Sequence, residues 1–138
     1  MLKLAAERAD GTVTWMTGPR TLGEFTVPTL AAAAEAAGRT APRVTASLPV
    51  CVTDDPADAR ARAAQIFEVY GHLPSYRAML DREGAAGPAD VAIVGDEATV
   101  CAQIRALADC GVTDFAAAEF AQSADEVRRT REALRSLL

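Results

Sequence analysis

The stretch Val94–Phe120, VGDEATVCAQIRALADCGVTDFAAAEF, constrains the fold of this 138-residue chain more than any other. Asp96 stands where a helix N-cap belongs. Apolar residues then recur at Val100, Ile104, Leu107 and Ala108, one stripe at helical spacing. Gly111 is placed to end that helix in the left-handed conformation, which costs glycine no Cβ clash. An extended run, Val112–Ala118, follows with β-branched, aromatic and small residues. Helix, glycine and buried-type strand in so short a span make half of a βαβ unit and predict an α/β protein with a mainly parallel sheet.

The remaining segments alternate in the same way. Leu2–Arg8 reads as a helix, Asp10-Gly11 as a turn and Thr12–Met16 as a strand. Thr21 and Glu24 match a capping box for a helix reaching Ala37, with Pro28 inside it to kink or divide it, and Gly38 to close it. Arg43–Val52 is the clearest strand. Val44, Ala46, Leu48, Val50 and Val52 share one face, and Thr45, Ser47 and Cys51 the other. Pro49 cannot donate to a ladder, which predicts an edge strand or an unpaired C-terminal end. Asp55-Pro56 opens a helix to about Tyr70, and a second helical piece covers Ser75–Glu83. Ala89–Val94 is a short turn, and Ser123 with Glu126 caps a last helix running to Leu138. The predicted order is α-β-α-β-α-α-α-β-α in one domain, residues 1–138.

Three strands make a narrow sheet with both edges unpaired. A leading helix without a strand before it makes the chain resemble the last part of something larger.

Composition removes several functional classes. The formal charge of −5, without any basic cluster, argues against a nucleic-acid surface. No apolar run approaches the roughly 20 residues of a membrane span and no signal-like segment leads the chain, which predicts a cytoplasmic protein. Cys51, Cys101 and Cys110 form no metal-ligand spacing with the single histidine, His72, and read as buried reduced thiols. Asp54, Asp55 and Asp58 are explained by helix capping, so no metal is expected.

Three segments, in this order, carry a resemblance. Leu4–Thr14 (LAAERADGTVT) resembles a helix, Ala-Asp-Gly and the sixth strand of the luciferase-like monooxygenase barrel. Pro42–Asp58 resembles its seventh strand and the Asp-rich helix start. Val94–Phe115 resembles the helix before the eighth strand, where the family usually has Gly-Thr/Asp-Pro-Glu and Ala-Gly-Val. The match is strongest to the deazaflavin-dependent oxidoreductases of that superfamily. It implies a partial (β/α)8 barrel, about the last three βα units, whose full-length relatives hold coenzyme F420 or FMN at the C-terminal face. There they pass hydride or activate oxygen. An intact barrel needs about 250 residues. The resemblance therefore implies a truncated or partial oxidoreductase that lacks most of the catalytic barrel.

Candidate cofactor contacts are Thr17, Gly18, Pro19 and Arg20, a loop between a strand and a capped helix. Gly18 allows close backbone approach, the helix start offers N–H groups to an anion, and Arg20 adds charge. A plain βα loop fits the same residues. Trp15 either flanks a flavin ring or packs in the core. Thr12, Thr14, Thr45 and Ser47 are candidates for a polar barrel interior. Tyr70, His72 and Tyr76 lie on a linker that in the resembled family shapes the substrate pocket. Glu119 and Phe120 stand just past the last strand. Two further readings stay open: a non-catalytic half-barrel, without cofactor, that pairs as a dimer through a sheet edge or its inner face, and an independent α/β module.

Overall fold

The computed structural model describes residues 1–138. Its centre is β2, Arg43–Val52, whose even-numbered side chains Val44, Ala46, Leu48, Val50 and Val52 are all buried. Strand β1, Gly11–Trp15, pairs parallel on one side, with Thr12 opposite Val44 and Trp15 opposite Ser47. Strand β4, Asp114–Glu119, pairs parallel on the other, with Thr45 opposite Asp114 and Val50 opposite Glu119. A short strand, β3 (Ile93–Gly95), joins the C-terminal end of β2 through Val50, Cys51 and Val52. The sequence reads that stretch as a turn. Three residues carry too little periodicity to announce a strand, and pairing with β2 supplies it.

β2 is the central strand, so Pro49 does not mark an edge. Its position has a different cause. Odd-numbered residues of β2 turn their backbone groups to the β1 side, as the bonds Arg43 N–H to Asp10 O and Thr53 N–H to Gly95 O show. β1 ends opposite Ser47 and β3 begins opposite Val50. Pro49 thus falls in the gap between them, where no donor is needed.

Helices α1 (Leu2–Arg8), α3 (Val27–Ala36), α6 (Glu97–Asp109) and α7 (Ala124–Arg135) bury one face of the sheet. The core on that side joins Ala6, Leu30, Ala34, Leu48, Val100, Leu107 and Ala133. Asp96 caps α6 by accepting from the Thr99 N–H at 2.8 Å, and Ser123 with Glu126 forms a reciprocal capping box on α7. Gly111 follows α6 at φ +87°, and a Cβ there would meet Val27 at 2.9 Å, so both conformation and space demand glycine. Residues before α3 form a short helix, α2 (Pro19–Thr21), and a π-helical turn over Leu22–Thr26 that continues into Pro28 without a break.

On the other face, Cys51 and Val94 meet Ala59 and Ala63 of α4 (Pro56–Ile66) together with Phe120. α4 stops at Ile66 instead of Tyr70. Glu68–Gly71 tightens into a 3₁₀ turn before α5, Pro74–Glu83. Toward the N-terminal end that face is open, with Val13 70% exposed. No helix is long and apolar enough to cross a membrane.

One hydrogen bond fastens the helix layer to the end of the central strand. The fully buried Thr130 hydroxyl accepts from Val52 N–H at 2.9 Å. Thr130→Val keeps the shape and orphans that donor, and is expected to cost about 1–3 kcal/mol in urea unfolding.

Candidate functional site

The C-terminal ends of β1, β2 and β4 converge under α4 and α5. β1 leaves the sheet through Met16, fully buried at φ +55°, a left-handed conformation that non-glycine residues seldom adopt. That twist sends the chain into Thr17, Gly18, Pro19 and Arg20. Thr17 donates to the Trp15 carbonyl at 3.4 Å, Gly18 takes the N-cap position, and Pro19 is the first helical residue.

The helix therefore begins three residues earlier than the Thr21–Glu24 capping box predicts, and that box does not form. Thr21 already has helical φ and ψ. Its hydroxyl donates to Met79 O at 3.4 Å, while Glu24 pairs with Arg20. The cap comes from α5 instead. Glu83 accepts from Arg20 N–H at 3.1 Å with Oε1 and from Thr21 N–H at 2.7 Å with Oε2. The Gly18 Cβ position lies 2.3 Å from the Glu83 carboxyl carbon, so glycine is what admits the carboxylate. Gly18→Ala and Glu83→Ala are each expected to lower stability by about 1 kcal/mol. The double variant should lose no more than either single change, because all three remove one clamp.

Trp15 stands at the margin of the open face beside an aromatic cluster. Its ring meets Phe67 edge-on at 5.9 Å and Tyr70 at 5.7 Å; Tyr70 meets Tyr76 at 4.9 Å, and Phe67 meets Phe120 at 5.9 Å. The Trp15 Nε1 is buried and has no hydrogen-bond acceptor. The structure thus brings Trp15, a candidate cofactor contact, together with Tyr70 and Tyr76 of the separate candidate substrate pocket. His72 is not part of the cluster. Its side chain is 76% exposed, with Glu68 one turn back at 3.9 Å.

The threonine assignment changes. Register pairs Val13 with Thr45 and Trp15 with Ser47, so these four share the open face with Asp114 and Ala116. Thr12 and Thr14 align with Val44 and Ala46 on the helix side. Glu119 likewise aligns with Val50 on that side and binds Arg131 at 2.9 Å, whereas Phe120 reaches the aromatic cluster.

Charge near the site is held in pairs. Arg62 of α4 and Glu126 of α7, each 15% exposed, lie 3.1 Å apart, and Arg62 also binds Asp58. Burial works to raise the Glu126 pKa. The N–H groups of Gln122 and Ser123, the Thr53 hydroxyl and the Arg62 guanidinium outweigh it and hold the carboxyl at about 2. Arg129 binds Glu97 at 2.6 Å and Asp54 at 2.9 Å, and the Arg129 hydrogen bond is the main reason the Glu97 carboxyl also falls to about 2. Burial pushes the Cys51 thiol up, which suits a packed residue rather than a nucleophile. No group of three or more His, Cys, Asp or Glu side chains is arranged to hold a metal ion.

A parallel sheet covered by helices on one face, open on the other toward the N-terminal ends of its strands, with its loops gathered at their C-terminal ends, defines a segment of a (β/α)8 barrel. The chain belongs to the luciferase-like monooxygenase family, whose model matches residues 1–114. Solved structures show the same fold. An F420-dependent secondary alcohol dehydrogenase in complex with an F420-acetone adduct matches at TM-score 0.73 and 18% identity, covering 99% of this chain and 46% of that one. The coenzyme F420-dependent tetrahydromethanopterin reductase of Methanopyrus kandleri matches at TM-score 0.71 and 22% identity, covering 94% and 45%. The oxygenating constituent of 3,6-diketocamphane monooxygenase from Pseudomonas putida, in complex with FMN, matches at 0.65 and 19%, covering 99% and 45%. The chain therefore spans less than half the length of these barrels. No curated protein matches it.

Proposed function

We propose that this chain forms the C-terminal part of a flavin- or deazaflavin-dependent oxidoreductase and supplies one wall of its cofactor site. The observation that carries the reading is the open face. Small side chains at Thr45, Ser47 and Ala116 leave room for a flat ring, Trp15 borders it, and the buried Nε1 of Trp15 is a donor without an acceptor. A bound F420 or FMN would supply hydride transfer, or oxygen activation with the flavin. Trp15, Thr17, Gly18, Pro19 and Arg20 would hold it. Glu83 already occupies the N–H groups of Arg20 and Thr21, so an anionic part of the cofactor would meet the Thr17 hydroxyl and the Arg20 side chain. Tyr70 and Tyr76 would shield the ring from water, with His72 at the outer rim of the substrate pocket.

Trp15 is the only tryptophan, so its fluorescence reports on this wall directly. Titration with F420 and, separately, with FMN should give saturable quenching for at least one. Arg20→Ala should weaken that binding by about tenfold, the loss of one charge-assisted contact. Absence of saturable quenching with both would overturn the reading.

A second reading rests on the unpaired strand edges: a half-barrel that pairs with itself and binds no cofactor. A dimer by light scattering, indifferent to both cofactors, is its signature.

A further inference from the structure

We infer that a pocket behind the Thr17–Arg20 loop binds a small apolar α-amino acid as its zwitterion. No residue of β1 or β4 lines this pocket, and the cofactor reading has no part in it.

The pocket lies where the row of strands beside β2 is broken. β1 ends opposite Ser47 and β3 begins opposite Val50, so Leu48 and Pro49 have no strand beside them on that side. On the helix face near this gap, Leu48, Ile93 and Leu107 floor a cavity of about 300 Å³. That volume is at the small end for ligand sites and suits a compact molecule. The floor is wholly aliphatic, so it favours an apolar group and offers nothing to a polar one.

Arg60, Asp90 and Gln103 stand around the cavity. Arg60 donates from Nη1 to Ala89 O at 3.1 Å and Ala92 O at 3.4 Å, which fixes its guanidinium. Arg62 and Arg129 each hold carboxylates, but Arg60 has none. Its Nε and Nη2 bond to no protein atom and are open to solvent. Two N–H groups on one edge of a fixed guanidinium match a carboxylate in bidentate fashion. Asp90 accepts from Ala86 N–H at 2.8 Å and Gly87 N–H at 3.1 Å with Oδ2 alone, which leaves Oδ1 for another donor. Glu83 also lines the cavity, but the N–H groups of Arg20 and Thr21 engage both its oxygens.

These charges select the ligand. One guanidinium and two carboxylates make the rim net negative, which disfavours a plain anion. A plain amine would leave the Arg60 fork empty. Arg60 and Asp90 adjoin, since Nη1 binds the carbonyl of the residue before Asp90. An α-amino acid carries its carboxylate and ammonium on one carbon, so it satisfies both at once. Its side chain then covers the floor at Leu48 and Leu107.

The test titrates ¹⁵N-labelled protein with L-leucine, with isocaproate, which lacks the ammonium, and with isoamylamine, which lacks the carboxylate. L-leucine should give saturable shifts of the Gln103 side-chain amide, the Arg60 Nε–H and the amides of Ala92 and Ile93, with a Kd of about 1 mM or tighter. Each truncated analogue should bind at least about tenfold more weakly, the loss of one charge-assisted contact. Arg60→Lys keeps the charge and loses the fork. Asp90→Asn keeps an acceptor for Ala86 and Gly87 and loses the charge. Each should weaken L-leucine by about tenfold. The inference is overturned if L-leucine, L-valine, L-methionine and L-phenylalanine all leave these signals unmoved. An analogue that binds as tightly as L-leucine overturns it too, as do shifts confined to Trp15 and Ser47 on the open face. The Trp15 indole lies outside the pocket, so binding of F420 or FMN is read separately and its failure leaves the inference standing.

Discussion

Leu48→Ala is expected to lower the unfolding free energy by about 3 kcal/mol, while Val13→Thr, one strand away, changes it by less than about 0.5 kcal/mol. Leu48 is 1% exposed, at the centre of β2, with Leu107 and Val100 in the same core. Truncating it opens a cavity that the flanking parallel strands cannot collapse. Val13 is 70% exposed on the open face and loses no packing. Urea unfolding of both variants measures the contrast. Similar costs for the two would show that the open face is packed and would remove the basis for a ligand wall.

The second large effect is electrostatic. Glu126→Ala removes the acceptor for the N–H groups of Gln122 and Ser123 and leaves Arg62 without its least exposed partner. Breaking a largely buried pair costs about 3 kcal/mol. The same residue fixes the acid response. Its folded pKa of about 2 lies below the unfolded value, so its contribution is complete above the ordinary glutamate range and is lost as pH falls toward 2. On the order of 2 kcal/mol of stability should disappear between about pH 5 and pH 2 in the native protein. In Glu126→Ala that part of the slope should be absent. A variant with the native slope would assign the acid sensitivity to other carboxylates.

What the sequence reveals and what it hides divide along the range of the interaction. Asp96, Asp55 and the Ser123–Glu126 box cap their helices as read, because each cap closes within three residues. The Thr21–Glu24 box is equally good as a pattern and yet does not form. A carboxylate 62 residues away, Glu83, reaches the same N–H group first, and no local rule could foresee it. Register accounts for the threonines. Their polarity suggests an interior face, but pairing with β2 places Val13 and Trp15 there and turns Thr12 and Thr14 to the helices. The aromatic cluster was half legible. Tyr70 and Tyr76 lie near one another in sequence, whereas Phe67 and Phe120 join only because α4 ends early and the C-terminal end of β4 lies beneath it. The parallel α/β layout was legible, since the helix-glycine-strand segment from Asp96 to Glu119 gives half of a βαβ unit in consecutive residues, whereas the partial barrel followed only from the resemblance of three segments to a known family.

The central claim, that the open face is a cofactor wall, is tested most directly by mapping amide and indole shifts in a ¹⁵N-labelled protein titrated with F420 and with FMN. The claim predicts that the single indole N–H of Trp15 moves together with the amides of Thr17, Gly18, Thr45 and Ser47, at one saturating ligand concentration. Shifts confined to the helix face, around Leu30, Ile104 or Ala133, or a spectrum unmoved by either cofactor, would contradict it.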